Sequence, residues 1–353
     1  MSRLKIGPLA VIFLLALGVA PTESLADNGR WKSLRDKPDT WYREPEAARI
    51  AANVLSFQSA EGNWPKNVDT TSQPYRGDRA KLRGTFDNGA TFGELRFLAR
   101  MYQTTQKDEY RDAFLKGLDH VLRAQYPTGG WPQFYPPGKG YHRHITFNDN
   151  AMVNILEFLR DVSRAADYSF VDQGRRSAAG KAFDAGIRCI LKCQIKVNGV
   201  LTIWCAQHDE TTLEPRWGRS FEPPALTSAE SAGIARLLMS LDNPQAEIRQ
   251  AVRAAARWFE SSAIVGIRQI TRNGDKQIVA DKNAPPLWAR FYEIGTNRPI
   301  FCGRDGVIGY DLGQIEAERR NGYAWYGHWG QDVARRYARW KERWFQRVGR
   351  YRR

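Results

Sequence analysis

Three polar clusters in the chain carry residue types able to hold a cation and to recognise carboxylates. The first is Thr85-Phe86-Asp87-Asn88-Gly89-Ala90-Thr91 and the second is His142 to Asn150. The third is Cys205 to Glu210, followed by Arg216, Arg219 and Glu222. The first two end where helical patterns begin, near Thr91 and at Ala151, so Asp87 and Asp149 read as equivalent positions at the mouths of two helices. Asp and Asn are favoured N-caps, and capping is one reading of each. Two equivalent acids beside amides and arginines offer another, because hard oxygen donors suit calcium better than zinc or copper. Further on, Leu287 to Glu293 and Asn297 to Gly306 read as short ordered segments ending in turns, bearing Arg290, Arg298 and Arg304. A guanidinium meets a carboxylate in planar, two-pronged fashion; for Arg298 a structural pair with a nearby acid is the preferred reading. His142, His144 and His208 lack HExxH spacing and read as loop histidines along a groove. The chain has no Gly-rich phosphate loop, no G-x-S-x-G and no nucleic-acid module, despite its charge.

The elements that must position these clusters show in a repeat. Gln58 to Pro65 (Q-S-A-E-G-N-W-P) recurs as Gln125 to Pro132 (Q-Y-P-T-G-G-W-P), and a looser copy runs from Gln194 through Gly199 to Trp204. The glutamines stand 67 and then 69 residues apart, room for a helical hairpin per copy. Helical patterns precede each copy at Ala47 to Phe57, Tyr110 to Ala124 and Ala179 to Leu191. Others lie between, at Thr91 to Tyr102 and Ala151 to Ala165, where Met152, Val153, Ile155, Leu156 and Leu159 keep a 3.6-residue rhythm. Leu226 to Phe259 supplies another helical pair. Strand alternation is confined mainly to Ile264 to Ile278, broken by Asn273-Gly274. The expected fold is therefore mainly all-α: an α/α toroid or partial α/α barrel of helical hairpins with a few short strands. The same turn motif resembles that of triterpene cyclases, but their acidic Asp-x-Asp-Asp run is missing.

Arg3 and Lys5, the apolar run from Pro8 to Ala20, and Ser24-Leu25-Ala26 form a secretory signal pattern, with residues 1–26 removed and the mature chain starting near Asp27. That apolar run is shorter than the about 20 residues of a membrane span. Residues 27–353 read as one catalytic domain, of which 331–353 is a basic, Trp-rich helix and tail. The formal charge of +15 falls to +14 once Arg3, Lys5 and Glu23 are removed. A strongly cationic exported protein points to a polyanionic partner. Four cysteines without paired C-x-x-C spacing argue against a disulfide scaffold or a zinc site.

At these strings the chain resembles the family 10 polysaccharide lyases, pectate lyases with an α/α-toroid-like fold, over nearly the whole mature sequence. The resemblance rests on Phe86-Asp87-Asn88-Gly89-Ala90-Thr91 with Glu94 to Arg100, on Ala124 to Gln133 and on His144 to Asp149. It continues through Trp204 to Asp209, Pro286 to Glu293, and Gly322 to Gly327. It implies calcium-assisted β-elimination on homogalacturonan (polygalacturonate), with Arg219 as the base that removes the C5 proton. It further implies calcium at Asp87 and Asp149, with Asn88 close by, and substrate carboxylates on Arg290 and Arg304; His144 is taken as lining the substrate groove. Gly218-Arg219-Ser220-Phe221-Glu222 departs from the family's usual Ala-Arg-Ala-Tyr-Glu, and Asn150 stands where a second Asp is common. The expected enzyme is an exported monomer, secreted or periplasmic, with no nucleic-acid partner and no membrane association after signal cleavage. A glycoside hydrolase of uronic acid oligosaccharides, using two carboxylates, and a non-catalytic pectin-binding protein are the rival readings.

Overall fold

The computed structural model describes residues 22–345. Most of the expected signal segment and the end of the basic tail, 346–353, lie outside the described residues. Ten α-helices carry the fold there: α1 Thr22–Arg35, α2 Pro45–Ser56, α3 Phe92–Thr105, α4 Asp108–Arg123, α5 Ala151–Arg164, α6 Gln173–Cys193, α7 Ser228–Met239, α8 Ala246–Ser261, α9 Ala317–Asn321 and α10 Trp329–Phe345. The apolar rhythm read in α5 is the buried face observed, with Met152, Val153, Ile155, Leu156 and Leu159 all inside. Helices pair as hairpins, α3 with α4, α5 with α6, and α7 with α8. Across hairpins α3 touches α5 and α5 touches α7, while α2, α4, α6 and α8 touch in series. That is an inner and an outer arc, the α/α-toroid arrangement expected, and among the described residues the strands form no closed barrel. Helix α10 packs against both α7 and α8 at the end of the arc. No helix among the described residues is long and apolar enough to cross a membrane.

The repeat has a common stitch. Gln58 donates to its own turn at Gly62 O (3.0 Å) and to Ala113 O in the next outer helix (2.8 Å). Gln125 does the same with Gly129 O and Ala182 O (3.0 and 2.9 Å), and Gln194 with Thr202 O and Ala251 O (2.9 and 3.1 Å). Each tryptophan is fully buried and donates its indole N–H back to the preceding outer helix: Trp64 to Val54 O, Trp131 to Val121 O, Trp204 to Ile190 O. Trp288 repeats the contact on Phe259 O (2.9 Å), a fourth seal without the glutamine signature. Gly62 and Gly129 hold φ of +105° and +97°, and a Cβ there would meet Lys116 O and Ala185 O at 2.7 and 2.4 Å. Trp131→Ala is expected to cost about 3–5 kcal/mol in denaturant unfolding, because it opens a cavity and strands a buried carbonyl. Trp217→Ala, at a position 41% exposed, is the control that leaves the midpoint unchanged.

The strands are short and connect the loops that follow the helices. Ile145–Thr146 pairs antiparallel with Gln207–His208, tying the second polar cluster to the third. Leu226–Thr227, Phe291–Tyr292, Pro299–Cys302 and Ile308–Gly309 form a four-stranded sheet. The expected hairpin is Ile267–Arg272 with Asp275–Ala280, turning at Asn273-Gly274 with both φ positive, as a two-residue hairpin requires. Helix α1 runs through the expected cleavage point and rests on α3. Trp31 lies so close to α3 that a Cβ at Gly93 would meet it at 2.4 Å.

Candidate active site

All three inner helices begin at one end of the arc, and their N-terminal partial positive charge favours anions there. The loops before α3, α5 and α7 carry Asp87, Asp149 and Arg219. Neither acid caps a helix: the N-caps are Thr91 and Asn150, and neither makes a side-chain cap bond. The two acids are also not equivalent. The turns are Asp87–Gly89 and Asn148–Asn150, preceded by Phe86 and Phe147, with the left-handed residue being Asn88 (φ 54°) in one and Asp149 (φ 48°) in the other. Asp87 thus matches Asn148, and Asn88 matches Asp149. The one-residue offset buries Asp87 at 3% exposure and leaves the Asp149 side chain 37% exposed.

Asp87 Oδ2 accepts from Lys66 Nζ and from Gln133 Nε2 (2.6 Å), while Oδ1 accepts the Asn88 N–H (3.0 Å). Lys66 and Gln133 hold the same place in successive repeat copies, each two residues after the sealing tryptophan. Burial pushes the Asp87 carboxyl above its ordinary range and Asp149 adds to this, with Lys66 and Gln133 opposing. Asp149 Oδ2 accepts from Asn148 Nδ2 at 2.8 Å, and its Oδ1 lies 3.5 Å from Arg290. Asn148 Oδ1 is buried without a partner. An all-oxygen donor set of two repelling carboxylates and an orphaned amide oxygen fits calcium.

Arg219 closes the other side. Its Nη2 donates to Glu222 Oε1 (2.5 Å), its backbone N–H to Glu222 Oε2 (2.9 Å), and the Tyr323 hydroxyl donates to the same Oε1 (2.8 Å). Burial lowers the proton affinity of Arg219, but the Glu222 carboxylate outweighs it, so the guanidinium lies above its ordinary range. Glu222, buried to 3% exposure, falls below the usual range: burial raises it and Arg219 overcomes that. The hydroxyl of Tyr141, raised mainly by burial, feels Arg219, Glu222 and Asp87 together, which puts it between the two halves of the groove.

The remaining arginines surround two rings. Phe221 has the guanidinium carbons of Arg319, Arg219 and Arg304 at 4.4, 4.8 and 5.6 Å, and Tyr323 has Arg290 at 4.7 Å. Arg304 is exposed and bound two-pronged to Glu318 (2.8 and 2.9 Å). Arg290 is only 7% exposed, lies under Tyr323 and pairs with Glu230 of α7. It therefore reaches the groove through Asp149, not as an open hand. Asn88 Nδ2 donates to Asn67 Oδ1 at 3.0 Å.

His144 stands apart from these residues, with Nδ1 3.1 Å from Glu210 Oε2. His144, Asp209 and Glu210 could together face a metal ion. Their oxygens are already taken by Arg143, Arg216 and the N–H groups of Thr211 and Thr212, so the cluster is an ion-pair network. His208 is fully buried, pushed down to about 4 by burial, with Nδ1 at Leu213 O. Lys66, Tyr141, Glu230, Arg319 and Tyr323 were not singled out by sequence. Only Lys66 had a usable signal, its place in the repeat.

A family model described as pectic acid lyase matches residues 58–334. Two solved structures of the family 10 polysaccharide lyase from Cellvibrio cellulosa are 37% identical to the chain, with TM-score 0.77. One covers 91% of this chain and 97% of its own; the other, an aspartate-to-alanine variant in complex with trigalacturonic acid, covers 90% and 97%. A comparison with curated proteins returns no match. A match of that length, at that identity and over the loops that carry Asp87, Asp149 and Arg219, makes the chain a member of the pectic acid lyase family and a pectate lyase.

Proposed function

We propose that this lyase is exported and cleaves polygalacturonate by calcium-assisted β-elimination, with Arg219 as the base. The observation that carries the reading is the convergence of Arg219, held by Glu222 and Tyr323, and of the Asp87 and Asp149 carboxylates on one end of the inner helices. Asp87 and Asp149, with the amide oxygen of Asn148 and Asn88 nearby, would hold calcium, which neutralises the substrate carboxylate and so acidifies the neighbouring C5–H. Arg304 supplies exposed positive charge for carboxylates of the polymer, Lys66 offsets the charge of Asp87, and Arg290 fixes Asp149 from below while adding positive potential. Arg219 in its neutral form takes the C5 proton. The electron pair left at C5 becomes the C4–C5 double bond, and the C4–O4 bond breaks with its pair leaving on O4, which takes a proton from solvent water. Glu222 holds the guanidine through Nη2 and the Arg219 backbone through its N–H, and the Tyr323 hydroxyl fixes Glu222 in turn.

The deciding experiment mixes the purified protein with polygalacturonate and follows ultraviolet absorbance of the conjugated, unsaturated product beside the count of reducing ends. Absorbance that rises with the reducing ends supports the reading. Reducing ends without absorbance mean hydrolysis by the two carboxylates, and silence in both with retained pectate binding means a binding protein. Sequencing the N-terminus of protein recovered outside the cytoplasm tests export: a start near Asp27 supports it, and an intact Met1 overturns it.

A further inference from the structure

Beside the cationic groove lies a cleft of about 700 Å³ with the opposite character. Its lining includes Asp305 and Glu316 and the apolar side chains of Val307, Ile308 and Ile315, with no lysine or arginine. On a chain of formal charge +15, that is the place where a bound carboxylate would meet only like charge. Both acids press on Gly303: a Cβ there would meet Glu316 Oε2 at 2.2 Å and Asp305 Oδ1 at 2.9 Å. Backbone N–H groups fix them, Arg304 N to Glu316 Oε1 at 2.7 Å and Val307 N to Asp305 Oδ1 at 3.0 Å. The Cys302 thiol beside them is pushed up to about 11 by burial, with the field of both carboxylates adding to it. Ile315 is buried as a floor, while Val307 and Ile308 are 64% and 41% exposed. Arg304, between cleft and groove, gives its guanidinium to Glu318.

The cleft is continuous with the catalytic loop. Cys302 Sγ lies 3.5 Å from the carbonyl of Ser220, the residue after Arg219, and a Cβ at Gly306 would touch the same carbonyl at 3.7 Å. An ionised galacturonate is repelled in this cleft by Asp305 and Glu316. A methyl-esterified galacturonate has lost that charge and gained a methyl group for which Val307 and Ile308 offer apolar contact.

We propose that this cleft is a substrate subsite for methyl-esterified galacturonate, so that the enzyme accepts esterified units next to the cleavage site while demanding a free carboxylate within it. The inference rests on polygalacturonate being the polymer cleaved. Its test uses the full-length enzyme and the Val307→Lys and Asp305→Asn variants, with unesterified polygalacturonate and partly methyl-esterified pectin as substrates. The readout is the ratio of kcat/KM on the esterified to the unesterified polymer, together with calorimetric affinity for a methyl-esterified oligogalacturonide, which needs no turnover. Both variants are expected to lower the ratio, by up to about fivefold, the factor one exposed charge contact supplies. They do so by raising the rate on the unesterified polymer, an effect that misfolding does not produce. Val307→Lys is also expected to weaken the esterified oligomer. A ratio and an affinity unmoved in both variants, or a ratio that rises, overturn the subsite. Absence of unsaturated product from either polymer with the unaltered enzyme overturns the catalytic reading instead, and the calorimetric arm still decides the subsite.

Discussion

Arg219→Ala is expected to lower kcat on polygalacturonate by about 10³-fold, within the range a positioned general base supplies, and to leave pectate binding within a few-fold of the unaltered enzyme. That is about 4 kcal/mol of transition-state stabilisation. Arg219→Lys is not expected to rescue it, because an ammonium on a shorter stem lacks the planar guanidinium whose Nη2 meets Glu222 Oε1, even though the backbone contact to Glu222 is kept. The pH profile separates a base from a docking cation. Glu222 keeps the Arg219 guanidinium above its ordinary range, so the neutral, proton-accepting form is the minor one at every working pH. The rate therefore climbs about tenfold per pH unit with no plateau as long as the fold survives. A plateau near neutrality would identify a different base, with a groove histidine examined next. Arg219→Ala turnover above about a tenth of the original would remove Arg219 from that role altogether.

Chelation is expected to abolish the unsaturated product, and Asp149→Ala to raise the calcium needed for half-maximal rate by about 100-fold or more, the upper end of what even outer-shell partners of a metal cost. Asp87→Asn acts in the same direction and Lys66→Met in the opposite one. The Lys66 ammonium is a counter-charge on Asp87, and removing it leaves the carboxylates hungrier for a cation. Calcium affinity measured by calorimetry on each variant, without substrate, gives the same ranking independently of turnover. Equal activity in chelator and in calcium would sink the metal reading.

The sequence made the scaffold legible because its stitches are side chains repeated at a fixed spacing. Gln58, Gln125 and Gln194 each do one job, and so do Trp64, Trp131 and Trp204. Trp288 escaped because it keeps the contact without the surrounding motif. The four-stranded sheet escaped because three of its strands are two residues long and the fourth only four, too short for a periodicity to read. In the site, the residues at the helix mouths were visible, but their phase was not. Phe-Asp-Asn against Phe-Asn-Asp shows the offset in the letters, yet only the positive φ at Asn88 and at Asp149 turns it into one buried and one open carboxylate. Glu230 looks in sequence like any acid in a helix's first turn, favoured there by the dipole. Its burial against Arg290 is a fact of packing between α7 and a strand 60 residues away.

Lys66 and Gln133 occupy the same position in consecutive copies of one hairpin, yet both grip the same oxygen of Asp87. A row of hairpins laid straight would carry such copies apart; bent into an arc, it brings them to a common centre. A duplicated turn thereby becomes a second tool for one atom, free to change from amine to amide without losing its address. This architecture lets a lineage convert symmetry into a division of labour by point substitutions alone. Here a charged copy and a neutral copy meet on one carboxylate oxygen.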